Sequence, residues 1–291
     1  MRILWNSIWR RKTALRCCAF TLWTISAASA APVATTPQRV VSANLCADQL
    51  VLALADPVQI VSLGPFARDS SLSYLSDQAN AFPSSRGSLE EIIDLKADFV
   101  LLGSFDSRYA RAALDRRKIS YMLLEPWNNL EQGRQQIQDV ASSLGHRERG
   151  DALIAQIDAG IMRLQRQAAL LPAKVNALVL HRRGYAMHSG VTAELAGLAG
   201  FGNAAAALGM TSSGLIPMER VVARPPDYLI VARNVQQPSD QGESVLVHPA
   251  LMRLFPAEKR LVIPDRLSIC AGPSTPALID RLIAETAKTM R

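Results

Sequence analysis

The sequence predicts an α/β protein of two similar lobes with mainly parallel sheets, joined by one long backbone helix, with a ligand cleft between the lobes. Three observations carry this. One helix–turn–strand unit occurs twice, strands alternate with helices in both halves, and a single long amphipathic helix separates the halves.

The duplicated unit is Ser88–Leu102 and Pro217–Val231. Each copy begins with a short helix carrying a glutamate, Glu90 or Glu219. Each turns at an aspartate eight residues later, Asp98 or Asp227, and ends in a continuous apolar run. Such a run suits a strand covered on both faces. Two copies of one αβ unit imply two lobes of similar build.

The remaining elements follow in order. Arg39–Ala43 is a strand, and Ala47–Ala55 is a helix opening near Asn44 and stopped by Asp56-Pro57. Ile60–Leu63 is a strand, and Tyr121–Leu124 is another, ended by Pro126. The long helix takes Asp151 as its N-cap and stops before Pro172. Ile154, Ile157, Ile161, Leu164, Ala168 and Leu171 recur at spacings of three and four, a single apolar stripe. Beyond it, Ala177–Leu180 and Leu261–Ile263 are strands, Ala193–Ala199 is a helix ended by Gly200, and Thr275–Lys288 is the final helix. The resulting division is a leader at 1–30, a lobe at 38–145, a bridge at 146–172 and a lobe at 173–291.

The leader has a basic start (Arg10, Arg11, Lys12), an apolar stretch from Ala14 to Ile25, and small residues at Ala28-Ser29-Ala30. That is an export signal cleaved near Ala30, with an apolar stretch too short to span a bilayer. The whole chain carries +7, and five of its cations with no acid lie in residues 1–30, so the mature chain is near +2. With no run of Lys and Arg left, nucleic acid is not an expected partner. The mature chain keeps Cys46 and Cys270. An oxidising compartment favours a disulfide between them, the alternatives being two buried thiols or one thiolate facing a ligand.

At these residues the chain resembles the helical-backbone class of periplasmic binding proteins that carry cobalamin, ferric siderophores or haem to an ABC importer. The likeness rests on Leu89-Glu90 leading to Lys96-Ala97-Asp98-Phe99-Val100, where Ala97 stands in place of the family's usual proline. It rests also on His188-Ser189-Gly190-Val191-Thr192-Ala193-Glu194-Leu195 with Gly200-Phe201-Gly202-Asn203, and on Cys270-Ala271-Gly272-Pro273-Ser274-Thr275. The resemblance implies a monomeric periplasmic carrier without intrinsic cofactor. Its cargo would be a small-molecule metal complex, an iron chelate or a corrinoid, and its partner the membrane permease. It further implies that Glu90 and Glu219, one per lobe, dock onto arginines of the permease. Two carboxylates at fixed separation would set orientation and encounter rate. Glu91 has no second-lobe counterpart, since Arg220 stands there.

Ligands of α/β lobes sit beyond the carboxyl ends of strands. The candidate ligand residues are therefore Asn44, Phe66, Arg68, Phe105, His181, Arg183, Tyr185, Ser189 and Arg233. Arginines suit carboxylate- or catecholate-bearing siderophores, and aromatic rings suit a corrin or haem face. By the resemblance, His181 lies where a cobalamin-binding relative has an aromatic over its ligand; its imidazole would stack there or ligate a metal. Trp127, after Pro126, reads as half-buried packing. Alternative cargoes are haem or a divalent metal, but four histidines with no histidine-rich loop argue against zinc or manganese capture. A secreted hydrolase is the rival of another class, and no nucleophile elbow, phosphate loop or zincin motif supports it.

Overall fold

The computed structural model describes residues 36–104, 108–170, 175–233 and 240–289. The leader with its cleavage point near Ala30, the candidate ligand residue Phe105, and Leu171 and Pro172 lie outside the described residues.

The first half contains β1 (Val40–Ser42), α1 (Leu45–Leu54), β2 (Ile60–Ser62), α2 (Ser76–Ala79), α3 (Leu89–Asp94), β3 (Phe99–Gly103), α4 (Arg108–Arg117), β4 (Ser120–Leu124) and α5 (Leu130–Leu144). The bridge is α6 (Arg147–Ala168). The second half contains β5 (Val175–Leu180), β6 (Tyr185–Met187), α7 (Val191–Leu198), β7 (Phe201–Asn203), α8 (Ala204–Ala207), β8 (Gly214–Leu215), α9 (Met218–Ala223) and β9 (Tyr228–Val231). It closes with α10 (Gln241–Ser244), α11 (Pro249–Leu254), β10 (Arg260–Val262), α12 (Asp265–Ser268) and α13 (Thr275–Lys288).

The first sheet is parallel throughout, in the order β2-β1-β3-β4. The second runs β10-β9-β5-β6-β8, with β7 alongside the start of β5. Here β5, β7, β9 and β10 are parallel, while β6 and β8 form antiparallel pairs. The antiparallel turn has a local cause. Arg183 and Gly184 adopt positive φ (59° and 75°), and the His181 amide donates to the Tyr185 carbonyl at 2.8 Å, so the chain folds straight back from β5.

The duplication seen in the sequence is repeated in the hydrogen bonding. Asp98 accepts from the Arg39 amide at 2.9 Å, and its own amide returns a bond to the Arg39 carbonyl at 3.0 Å. Asp227 accepts from the Asn176 amide at 2.7 Å and returns one to the Asn176 carbonyl at 3.0 Å. Each aspartate thus locks the strand after its helix to the first strand of its own lobe.

Strand alternation sorts the apolar residues into layers. Val40, Phe99 and Leu101 face one way, and Val41, Val100 and Leu102 the other, where Ile92 of α3 and Leu114 of α4 cover them. In the second half Val179 and Ile230 face inward, while Leu178, Leu180, Leu229 and Val231 pack under α9 and α11. The two inward faces belong to a single core that passes through α6.

The bridge differs from expectation at its start. It begins at Arg147, with His146 in the N-cap position, and Asp151 sits exposed within it. The reason is α5, which the periodicity of the bridge alone does not reveal. Gly145 ends α5 at φ 83°, and the chain turns directly into the next helix. His146 is largely buried, its ring within 3.0 Å of Gln59 Oε1. The apolar stripe stands: Ile157, Ile161 and Leu164 are buried, and Ile154 and Ala168 partly so. At 22 residues, α6 spans about 33 Å.

Candidate functional site

A cavity of about 430 Å³ lies between the halves. From the first half come Asn44, Leu50, Gly103, Ser104, Leu124, Glu125, Pro126, Trp127 and Gln136. From the second come His181, Met187, Gly190, Val191, Thr192 and the Ser268–Ala271 loop. Strand ends build most of it: β1 delivers Asn44, β3 delivers Gly103 and Ser104, β4 delivers Glu125 to Trp127, and β5 delivers His181.

Cys46 and Cys270 form a disulfide that is itself part of the wall. It closes 224 residues of sequence across a Cα–Cα distance of 5.1 Å. Two further links cross between the halves. The Gly190 amide donates to the Asn128 carbonyl at 3.2 Å, and the Leu130 amide, at the start of α5, donates to Glu194 at 2.7 Å.

The surface is mainly apolar, with Leu124, Trp127, Met187, Val191, Ile269 and Ala271. Trp127 is fixed in place. Its Nε1 donates to Gln136 Oε1 at 2.9 Å, Gln136 Nε2 donates to the Glu125 carbonyl at 3.0 Å, and its ring lies against Gly133, where no side chain would fit. The indole is thus both half-buried packing and cleft wall, a second role the sequence reading did not give it. His181 is mostly enclosed. Burial pushes its pKa below the ordinary histidine value, against the opposing pull of Asp265, so the ring is neutral at neutral pH. Two polar atoms of wall residues, Asn44 Nδ2 and Ser104 Oγ, are shielded from water and have no partner among the described residues. Asn44 spends its Oδ1 as the cap of α1, accepting from the Cys46 and Ala47 amides at 3.0 Å each.

Of the residues chosen from sequence, Asn44, His181, Cys46 and Cys270 line the cavity. Phe66, Arg68, Arg183, Tyr185, Ser189 and Arg233 do not. Arg68 turns back to the carbonyls of Ala79 and Phe82. Arg233 pairs with the buried Glu243, and Arg182, the residue before Arg183, pairs with Asp240. Phe66 is 55 % exposed, and Arg183 and Tyr185 are carried outward by the tight turn. Ser189 is exposed beside the wall, its amide bonded to Ser213. No arginine among the described residues lines the cavity, contrary to the arginine-rich cleft expected from the loops. Met187 and Thr192 are wall residues that the sequence reading did not single out; Gly190, an uncapped helix start just after a strand, was the available signal.

Glu90 and Glu219 lie outside the cavity, each exposed and each the second residue of its six-residue helix. Glu91 differs: its carboxylate accepts from the amides of Arg86 and Ser88 and completes a capping box. Among the described residues no three His, Cys, Asp or Glu side chains converge as a metal site.

A family model described as "Periplasmic binding protein" matches residues 40–260. No curated relative matches. Among the solved structures that share the fold are three described as periplasmic heme-binding proteins. A periplasmic heme-binding protein, RhuT from Roseiflexus sp. RS-1 in apo form, superposes with TM-score 0.69 at 21% identity, covering 87% of this chain and 99% of its own. A periplasmic heme-binding protein from Pseudomonas aeruginosa gives 0.67 at 18%, covering 85% and 92%. The periplasmic heme-binding protein HutB of Vibrio cholerae gives 0.66 at 18%, covering 85% and 98%.

Proposed function

The chain belongs to the periplasmic binding protein family, and from that premise we propose that it is the exported carrier of an ABC importer whose cargo is a metal tetrapyrrole, haem foremost. The observation that carries this is the neutral His181 set in an apolar cavity that no described arginine lines. Catecholate siderophores call for guanidinium donors. A flat macrocycle calls for apolar walls, an indole and a neutral imidazole able to reach its metal. Trp127, Met187, Val191 and His181 supply these. The haem-binding descriptions of the fold neighbours point the same way. In this reading the protein works as a monomer, catalyses nothing, and presents Glu90 and Glu219 to the permease.

The test is titration of the purified mature protein with haem, cyanocobalamin and a ferric catecholate siderophore, following absorbance and tryptophan quenching. Saturable 1:1 haem binding with a shifted Soret band is expected. His181→Ala should return that band towards its free position and weaken binding at least tenfold. Binding of the siderophore alone overturns the reading.

A further inference from the structure

A haem carrier must also hold the two carboxylates on the haem edge, and no described arginine lines the cavity to meet them. We infer that a carboxylate subsite lies in the cleft at the N-terminus of α7, formed by the first-turn amides and the Thr192 hydroxyl. The inference rests on the tetrapyrrole reading and deepens it by naming the chemical group on the cargo that the wall selects.

Several observations converge on this turn. α7 opens into the cavity, since Gly190, Val191 and Thr192 all line it. The helix starts at a glycine and has no side-chain cap, so the amides of its first turn keep their donors. Donors and dipole there both favour an anion. α1 also starts at the cleft, but Asn44 already occupies its first amides. Thr192 is only 5% exposed as a residue and lines the cavity, and no hydrogen bond to its hydroxyl occurs among the described residues. Glu194, the acid of the same turn, is engaged by the Leu130 amide of α5. On the opposite wall, Asn44 Nδ2 and Ser104 Oγ are sealed from solvent and have no partner among the described residues. Among the described residues, Glu125 is the one carboxylate on the wall, and it is exposed on the first-half side. A corrinoid, whose edge carries amides, gains less from a helix N-terminus than a dicarboxylate does.

The experiment compares haem with its dimethyl ester, which keeps ring and metal and loses both charges. Both are titrated against the wild type, Thr192→Val and Thr192→Ser. The wild type should bind haem at least tenfold more tightly than the ester. Thr192→Val should narrow that ratio several-fold by weakening haem alone, and Thr192→Ser should keep it. Should the valine variant not fold, Thr192→Ala gives the same comparison. Equal affinity of haem and ester in the wild type overturns the subsite and leaves the tetrapyrrole reading standing. A preference that survives loss of the hydroxyl overturns its assignment to Thr192. Failure of both ligands to bind overturns the subsite together with the reading it rests on.

Discussion

Asp48 shows what a single buried carboxylate does to this protein. It is fully enclosed on α1, accepts from the Gly64 amide at 2.7 Å, and its second oxygen has no partner among the described residues. Burial raises its pKa to about 6, outweighing the Gly64 amide and the Ser42 hydroxyl, which pull it down. The folded state therefore holds a proton that the unfolded chain releases near 3.8. Its contribution is present in full below pH 3.8 and is lost as pH rises to about 6. Asp48→Asn keeps an acceptor for Gly64 and removes the titration. The variant should be more stable than the wild type above pH 6, by at most about 3 kcal/mol, with the gap closing towards pH 4. Urea melts at pH 4, 5.5 and 7.5 check this, and a pH-independent gap would refute it. At this scale the sequence was only partly legible. The strand-end rule put His181 and Asn44 at the cavity wall, since those positions are fixed by the sheet. Arg68 and Arg233 do not line the cavity, because their long side chains reach partners that a sequence pattern does not display.

At the scale of elements, the bridge shows why some structure was legible and some was not. The stripe of α6 was readable because one helix meets helices from both halves along one face. Its true start was not, because α5 and α6 are separated only by Gly145 and His146. Close helix contact makes Gly150 a specific requirement: a Cβ there would lie 2.7 Å from Ala141 Cβ on α5. Gly150→Ala should cost roughly 1–3 kcal/mol, as overpacking outweighs the gain in helix propensity. Gly197 in α7 meets nothing within 4 Å, so Gly197→Ala should add roughly 0.5–1 kcal/mol. Opposite shifts in thermal midpoint distinguish the two sites; shifts of one sign would mean the helix spacing is wrong. The matched helices α3 and α9 carry a second contrast. Glu90 and Glu219 are exposed at equivalent positions, whereas Glu91 is committed to a cap. Glu90→Ala with Glu219→Ala should leave haem affinity unchanged and lower permease-dependent uptake at least tenfold in reconstituted vesicles. Unchanged uptake would remove both carboxylates from the docking surface.

For the whole molecule, the two-lobed plan was legible because it was written twice, in matched helix–strand units with an aspartate lock in each. How firmly the lobes are held was less so, since the links across the cleft join residues far apart in sequence. A lone backbone helix would allow some hinge motion. Here the core runs without a break through α6, the Asn128–Gly190 and Leu130–Glu194 bonds add two ties, and the disulfide adds a covalent one in the cavity wall. If these ties set the width of the cleft before cargo arrives, binding costs little reorganisation. Replacing both cysteines by serine tests the covalent tie. The bridge closes a very long loop, so the variant should lose roughly 2–5 kcal/mol of stability. If the noncovalent ties hold the lobes, its small-angle scattering profile should stay within error of the wild type with and without haem, and haem affinity should change less than threefold. A cargo-dependent contraction appearing only in the serine variant would instead make the disulfide the element that sets the gap.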